Sequence, residues 1–410
     1  MNQFRRIFAC ARRAQVFKRR RYSFFCDIKS KIKMTGPISI AEYMREVLTN
    51  PKGGYYMKND VFGMRGDFIT SPEISQMFGE VVAVWTLCEW QKLGKPLPLQ
   101  LIELGPGRGT MMQDILRVYN KLDIIGHNKL SIHLVEISRS MSKFQAKALC
   151  LPDSVSELDE TDDNDFGCYQ KGFSSHSSPI YWYSDIRYVP KAFSIVIAHE
   201  FFDALPIHKF QKVGNEWREV MIDVSEEESK QLRYVLSRNP TPASLLLTKE
   251  ENKRNHFEVS PQTGIIMEQI SLRLEENGGF ALIIDYGHEG EKTDTFRAFS
   301  QHSLHDPLIE PGTADLTADV DFSYLRKATG NRLFSLGPIP QRQFLSNMHI
   351  DVRLKKLLET RYRIEEKEHL ISGYHMLMDK DKMGERYKIM SFFPAVLTEF
   401  LQKFPAVGFG

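Results

Sequence analysis

A short glycine-rich turn is the first group of residues in this chain whose types and spacing could do chemistry. Glu103-Leu-Gly105-Pro-Gly107-Arg-Gly109 follows the apolar run Leu99–Leu104 and precedes a helical pattern at Met111–Leu122. Glycines let a backbone approach a ligand closely and take positive φ, and the start of a helix directs free N–H groups at the same place. A strand, a glycine turn and a helix in this order are typical of a site for a nucleoside-bearing ligand.

The spacing of the glycines separates two ligands of that kind. Dinucleotide-binding turns have the pattern G-x-G-x-x-G, whereas here the glycines recur as G-x-G-x-G at Gly105, Gly107 and Gly109. Glu103 stands two residues before the first glycine, where a carboxylate suits an ammonium-bearing ligand and would repel a pyrophosphate. The turn therefore favours S-adenosylmethionine (SAM) over NAD, and a glycine turn that only packs is the plainer alternative.

Two further acids follow the next apolar runs of the chain. Glu136 ends the run His133–Glu136, and Asp185 comes just after Tyr181–Tyr183. Doubly wound nucleoside binders use an acid after the second strand to hold the ribose hydroxyls, and an acid after the third strand can meet the adenine amino group. We therefore expect Glu103, Glu136 and Asp185 to bind the cofactor together with the three glycines. A solvated loop residue is the alternative for any one of these acids.

Short apolar runs alternate with helical stretches along most of the chain, as expected for a parallel sheet covered by helices on both faces. The pattern predicts an α/β fold with a doubly wound, mostly parallel, seven-stranded sheet, as in the class I SAM-dependent methyltransferases. The five central strands are predicted at Leu99–Leu104, Ile132–Ile137, Ile180–Tyr183, Phe193–Ala198 and Phe280–Ile284, and the last two at Arg332–Ile339 and near Ile364–Glu366.

Regions outside the central strands complete the predicted organisation. A helix is expected at Ile38–Val47, and a second one, capped by Thr70 or Ser71, from Pro72 to Leu93. Thr70, Ser71 and Pro72 are also expected to close over the cofactor as a flap. An insertion between strands 4 and 5 begins with a hairpin at 213–216. The predicted regions are a presequence at 1–22, a helical and flap region at 23–95, a SAM-binding half at 96–206, a substrate-side insertion at 207–275, and the remainder with the C-terminal tail at 276–410.

The first residues of the chain form a basic amphipathic pattern. Phe4, Ile7, Phe8 and Ala11 share one helical face, no acid precedes Asp27, and the segment contains Arg5, Arg6, Arg12, Arg13, Lys18, Arg19, Arg20 and Arg21. This pattern is typical of a mitochondrial presequence, and Arg20-Arg21-Tyr22-Ser23 resembles a processing site before Ser23. A basic arm that binds nucleic acid or a membrane surface is the alternative.

Composition excludes several classes of function. The formal net charge is +2, and without those eight basic residues it becomes about −6, which disfavours nucleic acid as a partner. No run of 18 apolar residues is present, so we expect no stable membrane insertion. The five cysteines are scattered without a C-x-x-C pair, which argues against a zinc site or a disulfide framework and fits the reducing mitochondrial matrix.

Several motifs together resemble one known family. They are Glu103–Gly109, Gly66–Glu73, Ala198–Pro206, Asp285–His288 and Pro311–Asp321. In these the chain, over roughly Thr35 to Lys388, is similar to the MidA-like mitochondrial protein arginine methyltransferases, the complex I assembly factor 7 family. The resemblance implies a type II protein arginine methyltransferase that uses SAM. Its implied partner is a core subunit of respiratory complex I at the quinone site, on which it would make symmetric dimethylarginine during assembly.

An arginine substrate would need a carboxylate in the site, because a guanidinium is a poor nucleophile. A carboxylate held against it can localise the positive charge on the far nitrogens and can later accept a proton. Glu200 is the first candidate, since it ends the fourth strand across the switch point from the glycine turn. Asp203, three residues on, is the candidate for a second arm, although well-known arginine methyltransferases place two glutamates on a longer loop. His199 is a candidate proton shuttle or a structural histidine, and Phe201 and Phe202 are candidate channel walls.

Three other functions remain open on the sequence. A nicotinamide-dependent oxidoreductase would share the sheet but should carry the longer glycine pattern. A methyltransferase for another substrate would keep the cofactor residues and differ in the catalytic ones. A non-catalytic assembly chaperone that retains the fold would have no need of Glu103, Glu136 and Glu200.

Overall fold

The computed structural model describes residues 24–57, 70–126, 129–158, 167–225, 231–249 and 254–410. The predicted presequence 1–22 and residues 66–69 of the quoted motif lie outside these ranges. In chain order the described helices are α1 (24–35), α2 (Ile40–Thr49), α3 (Ser71–Ile74), α4 (Gln76–Lys92), α5 (Thr110–Leu122), α6 (Arg139–Leu149), α7 (Pro242–Leu247), α8 (Pro261–Asn277), α9 (Phe322–Ala328), α10 (Gln341–Asn347), α11 (Ile350–Thr360), α12 (Ile364–Met378), α13 (Met383–Arg386) and α14 (Thr398–Lys403).

The described strands are numbered in the same way. They are β1 (Ile38–Ser39), β2 (Leu99–Leu104), β3 (Leu130–Val135), β4 (Ser156–Glu157), β5 (Cys168–Phe173), β6 (Pro179–Tyr183), β7 (Ser194–His199), β8 (His208–Val213), β9 (Glu216–Val224), β10 (Leu232–Leu236), β11 (His256–Val259), β12 (Gly279–His288), β13 (Arg297–Ser300), β14 (Ser303–His305), β15 (Asp315–Thr317), β16 (Val320–Asp321), β17 (Leu333–Pro340) and β18 (Tyr387–Pro394).

The described residues fall into two compact units. The first comprises those within 1–61, 205–261 and 292–318, and the second those within 62–204, 262–291 and 319–410. All the predicted site residues, from Thr70 to Asp203, belong to the second unit. In the part of the chain that the structure describes, no helix is long and apolar enough to cross a membrane.

A large mixed sheet forms the centre of the second unit. Its strand order is β17-β18-β12-β7-β2-β3-β6-β5-β4, with β16 beside β12. Pairing is parallel from β12 through β7, β2 and β3 to β6, and antiparallel at both ends of the sheet. The order of the strands reverses between β2 and β7, which is where such sheets bind ligands beyond the carboxyl ends of their strands.

The sheet of the described residues contains ten strands, where the sequence predicted seven. The additional strands are short or lie at an edge: β5 and β4 extend the sheet beyond β6, and β16 pairs with the end of β12. They escaped prediction because β4 and β16 have only two residues each, and β5 follows the strongly acidic stretch 153–165, whose composition is not that of a strand.

Strand β12 extends four residues beyond its predicted end at Ile284. It pairs with β18 as far as Tyr286, and with β16 at Gly287 and His288. The predicted bounds Phe280–Ile284 left Tyr286 and His288 outside this strand, and those bounds were wrong. Asp285 consequently lies inside the sheet, with none of its surface exposed.

The C-terminal part of the chain contains one wrong strand and one missed strand. Residues near Ile364–Glu366 begin helix α12, not a strand. The sequence Ile364-Glu-Glu-Lys-Glu-His-Leu is rich in strong helix formers, and Glu365 and Glu366 lie in the first turn, where acids favour a helix. The missed strand, Tyr387–Pro394, is an almost wholly buried apolar run that pairs antiparallel with β12.

The predicted helix from Pro72 to Leu93 is divided into α3 and α4. Ser75 between them is extended, with φ −157° and ψ 131°, and its side chain accepts a hydrogen bond from the N–H of Met77. Because serine is a strong N-cap, it begins a new helix there. The break lets the short helix Ser71–Ile74 take its own direction.

The first unit contains the sheet β1-β9-β8-β11, with β10 beside β9, and the small sheet β14-β13-β15. Strands β8 and β9 form the hairpin that the sequence predicted, joined through Gly214 at φ 62°. Helix α2 begins at Ile40, not Ile38, because Ser39 caps it by accepting the N–H of Glu42 at 3.1 Å. Ile38 instead pairs with Ile222 in β9.

Candidate active site

The glycine turn links β2 to α5 at the switch point of the sheet. Gly107 has φ 52°, and no atom lies within 4 Å of the position that a Cβ would occupy there. Gly109 at φ 82° is the N-cap of α5, and its N–H is bonded to Pro106 O at 2.7 Å. The turn thus leaves open space over the half-buried backbone of Gly107 and brings the free N–H groups of a helix start to the same place.

Gly105 serves a different purpose from Gly107. A Cβ at Gly105 would lie 2.8 Å from Cδ2 of Phe201, which is closer than real Cβ contacts. The absent side chain therefore lets the Phe201 ring pack directly on the turn. Phe201 itself packs edge to face on Phe202, with ring centroids 5.2 Å apart. The glycine turn and the turn that follows β7 are therefore neighbours in space.

Glu103 is buried within β2, and its surroundings are unusual for an acid. Its Oε2 atom has no hydrogen-bond partner among the described residues. Burial raises the pKa of Glu103 to about 8. A buried acceptor without a donor is costly, so this atom fits a ligand that brings a donor, such as an ammonium group or an ordered water.

Glu136 follows β3 and is held by the residues after it. Its Oε1 accepts the N–H of Ser138 at 2.7 Å, and its Oε2 accepts Nε2 of Gln145 at 3.0 Å. Burial raises the pKa of Glu136 to about 7, although the two hydrogen bonds act in the opposite direction and lower it. The carboxylate is thereby fixed at the strand end, next in the sheet to Glu103 on β2, as a ribose-binding role requires.

The predicted adenine-binding acid has a local partner. Asp185 caps the short 3-10 turn Ile186–Tyr188 and accepts the backbone N–H of Arg187 at 2.9 Å and its guanidinium at 2.8 Å. Burial alone would raise the pKa of Asp185, but the hydrogen bonds from Arg187 outweigh it and lower the pKa. The structure thus places Asp185 after β6 as predicted but turned towards its own loop.

The predicted flap contacts the candidate catalytic acid. Thr70 is the N-cap of α3 and forms a capping box with Glu73, while Ser71 and Pro72 are buried. The N–H of Ser71 lies 3.4 Å from Oε1 of Glu200. These residues therefore cap a helix and also reach the acid that follows β7, whereas a direct role in cofactor binding stays a prediction.

Glu200 lies directly after β7, in a left-handed backbone conformation that residues other than glycine rarely adopt. Its φ is 49°, and its N–H is bonded to Ile284 O at 3.0 Å, which holds this backbone in place. Strained backbone of this kind concentrates at functional sites. Burial, followed by the charge of Asp203, raises the pKa of Glu200 well above its ordinary value.

Asp203 and Asp285 complete a cluster of three buried carboxyl groups with Glu200. Oδ2 of Asp285 accepts the backbone N–H groups of Phe201, Phe202 and Asp203 at 3.2, 3.1 and 3.4 Å. Its Oδ1 accepts the N–H of Tyr286 at 3.0 Å. Asp285 therefore anchors the turn that carries Glu200 and Asp203. The sequence analysis had not assigned this role to Asp285.

Two tyrosines border this cluster. The hydroxyl of Tyr286 donates a short hydrogen bond to Oδ2 of Asp203, and that of Tyr387 faces Glu200. Burial and the neighbouring acids raise the pKa of both tyrosines well above the ordinary value, so both hydroxyls stay protonated and can act as donors. Tyr387 belongs to the missed strand β18, so nothing in the sequence pointed to it.

His199 is buried at the end of β7, and its ring lies 5.1 Å from that of Phe78. Its Nε2 is 3.3 Å from Oε1 of Glu200 without a regular hydrogen bond. Burial lowers the pKa of His199 to about 3. The imidazole is therefore neutral near pH 7, which fits a structural or donor role better than a shuttle that must become cationic.

These features fit a ligand with an ammonium group, a ribose and a compact linker between them. SAM would be held by the open position over Gly107, the unpaired oxygen of Glu103 and the fixed carboxylate of Glu136. Comparison with known proteins agrees, because residues 81–339 match the family of S-adenosyl-L-methionine-dependent methyltransferases. The protein is a SAM-dependent methyltransferase.

Curated relatives define the family more narrowly. The chain is 52% identical over 370 residues to "Protein arginine methyltransferase NDUFAF7, mitochondrial" of Danio rerio, covering 90% of this chain and 86% of the relative. Identity to the Homo sapiens protein of the same name is 51%, over 89% of this chain and 82% of the relative. The homologue of Drosophila melanogaster is 49% identical, over 93% and 87% of the two chains. The chain belongs to the NDUFAF7 family of methyltransferases.

A solved structure shares the fold. The COG1565 superfamily protein from Burkholderia thailandensis, crystallised with S-adenosyl-homocysteine, superposes with a TM-score of 0.72 and covers 92% of this chain and 93% of its own. Sequence identity is 20%, so the likeness concerns the architecture and leaves the roles of individual residues to the geometry above.

Proposed function

We propose that this methyltransferase modifies arginine side chains of a protein and that Glu200 and Asp203 bind the guanidinium. The observation that carries the proposal is the buried carboxyl cluster on the turn after β7, directly beside the cofactor turn through the Phe201–Gly105 contact. A buried acidic cluster selects a cationic group, and a planar guanidinium can satisfy two carboxylates at once. Relatives at about 50% identity are named as protein arginine methyltransferases.

The chain's residues would assist the reaction by positioning and by proton transfer. When bound, SAM supplies the methyl group, and its sulfonium leaves as a neutral thioether. Glu200 and Asp203 would hold the guanidinium so that one nitrogen faces the methyl carbon, and Tyr286 would keep Asp203 in place. As the C–N bond forms, the nitrogen becomes more acidic, and Glu200 would accept its proton and pass it to solvent.

The raised pKa of Glu200 has a consequence for this scheme. Three carboxyl groups buried together cannot all be ionised without a cation beside them. Glu200 accepts a single long backbone hydrogen bond, from Ser71, whereas Asp285 accepts four backbone N–H groups, which stabilise its charge better. Glu200 therefore holds a proton in the free enzyme and loses it as the cationic substrate arrives. Entry of the substrate would itself create the base.

We further propose the substrate and compartment that the family resemblance implies. The substrate would be a core subunit of respiratory complex I at the quinone site, the product symmetric dimethylarginine, and the compartment the mitochondrial matrix, reached through the presequence 1–22. Support comes from the mitochondrial designation of the relatives and the basic first segment. The insertion 207–275 would contribute to substrate binding. We also propose the predicted regions of the chain as they stand, with boundaries after residues 22, 95, 206 and 275.

The test compares two buried glutamates of the second unit. Glu200→Gln should reduce methylation at least about 100-fold while S-adenosylhomocysteine binding, measured by calorimetry, stays within about threefold of wild type. Glu89→Gln is the control, because the Glu89 side chain is also buried but pairs with Lys92 and the N–H of Val407. Normal methylation by Glu200→Gln would exclude the proposed role.

A further inference from the structure

A buried glutamine connects the two elements that carry the candidate cofactor residues. Gln145 lies in α6, and none of its surface is exposed. A buried amide without partners would be costly, and every polar group of this side chain has one. Its position in a helix, remote in sequence from the glycine turn and not at a strand end, gave no signal in the sequence.

The orientation of this amide follows from Trp182 on β6. The indole N–H can only donate, and it donates to Oε1 of Gln145 at 2.8 Å. The amide nitrogen must therefore face the other way, where it donates one hydrogen to Gly107 O at an N···O distance of 2.7 Å and the other to Oε2 of Glu136 at 3.0 Å. All three partners are held by one side chain in one rotamer.

We propose that Gln145 is a positioning residue for the cofactor: it sets the distance between the backbone of Gly107 and the carboxylate of Glu136. Gly107 has no side chain that could stabilise its left-handed conformation. Its carbonyl oxygen is held by the hydrogen bond that it accepts from this amide. The same amide holds the far oxygen of Glu136, while Ser138 holds the near one. The inference rests on the cofactor site and is independent of the arginine substrate.

A purely structural role would have different consequences. Gln145 could stabilise the packing of α6 on the sheet without affecting ligand affinity. Ser142 offers a comparison, since it lies one turn earlier in the same helix, is equally buried, and is bonded to Oε1 of Gln170 at 3.1 Å. Ser142 shares the helix and the burial, but its hydroxyl donates to Arg139 O and Gln170 Oε1 and not to Gly107 or Glu136.

The experiment measures binding of S-adenosylhomocysteine to the full chain by calorimetry, with thermal unfolding of the ligand-free protein in parallel. Gln145→Met preserves volume and removes the hydrogen bonds, and we expect at least about tenfold weaker binding. Ser142→Ala should lower stability but keep affinity within about twofold. Wild-type affinity in Gln145→Met, or an equal loss in Ser142→Ala, would overturn the proposal.

A double-mutant cycle tests whether Gln145 acts through Glu136. Glu136→Gln alone should weaken binding, and adding Gln145→Met to it should cost clearly less than it does in wild type. Fully additive losses, or unchanged affinity in Glu136→Gln, would contradict the proposal. Should Gln145→Met not fold, Gln145→Glu replaces it: the carboxylate still accepts from Trp182 but repels Glu136, so weaker binding is expected and normal binding would refute the role.

Discussion

Asp285→Asn probes the anchor beneath the candidate catalytic turn. The carboxylate accepts three N–H groups at Oδ2 and one at Oδ1. Asparagine has a single acceptor oxygen, which can at best serve the three donors of the turn and must then direct its NH₂ at the N–H of Tyr286. One buried N–H left unpaired costs about 1–3 kcal/mol, so the free energy of unfolding should fall by about that amount.

Activity should fall further than stability in this variant. The turn carries Glu200 and Asp203, and a displacement of about 1 Å in a positioned group can cost about 100-fold in rate. We therefore expect kcat/KM for methylation to drop about 30- to 100-fold, with S-adenosylhomocysteine affinity within about threefold. Urea unfolding, calorimetry and mass-spectrometric detection of methylated product measure the three quantities.

The control for this prediction is Asp321→Asn. Asp321 also accepts a backbone N–H, that of Tyr324 at 3.1 Å, but does so at the start of α9. Because asparagine is about as good an N-cap as aspartate, this variant should change the free energy of unfolding by less than about 1 kcal/mol and keep its activity. If Asp285→Asn were as active as the control, Asp285 would not be the anchor of the catalytic turn and the reasoning would be refuted.

Three further predictions concern the cofactor side and the pH profile. Glu103→Gln should weaken S-adenosylhomocysteine binding. Burial raises the pKa of Glu103 to about 8, whereas an unfolded glutamate ionises near about 4.3, so the ligand-free wild type loses stability progressively as pH rises between these two values. The variant should therefore nearly match wild type near pH 5 and exceed its thermal stability at pH 8.5. Equal stability at both pH values would contradict the burial argument. Gly107→Val should abolish binding, since a branched side chain would fill the open space over the turn and disfavour φ 52°; retained binding would remove Gly107 from the site. The raised pKa of Glu200 predicts that kcat/KM rises with pH through a limb well above the range of an ordinary glutamate, and a limb near pH 4.5 would show that Glu200 is not the base.

The sequence was most informative where chemistry and local structure coincide. Glu103 to Gly109 predicted a strand, a turn and a helix, and the structure has all three within a residue of their expected limits. Glycine spacing and strand-end acids are local signals, so no knowledge of distant contacts was needed. The same reasoning predicted Glu200 and Asp203 as a pair, and the structure brings their carboxyl groups close enough for the charge of one to act on the other; their catalytic role stays a prediction.

The missed residues depend on pairing between distant parts of the chain. Asp285 is an anchor only because β18 and β16 extend β12 past Ile284, and Tyr387 reaches Glu200 from a strand nearly 190 residues away in sequence. Gln145 acts across α6, β6 and the glycine turn. Such contacts leave no periodic or compositional trace, because each is made by a single side chain whose partners lie on other elements.

The central claim is that the acidic cluster beside the SAM site receives a protein arginine. The most direct measurement incubates the enzyme with methyl-labelled SAM and proteins from mitochondria that lack it, then maps the label by mass spectrometry. The account predicts label on arginine of a complex I core subunit with the wild-type enzyme, and none with Glu200→Gln. Label on another type of residue, or on a small molecule only, would contradict it.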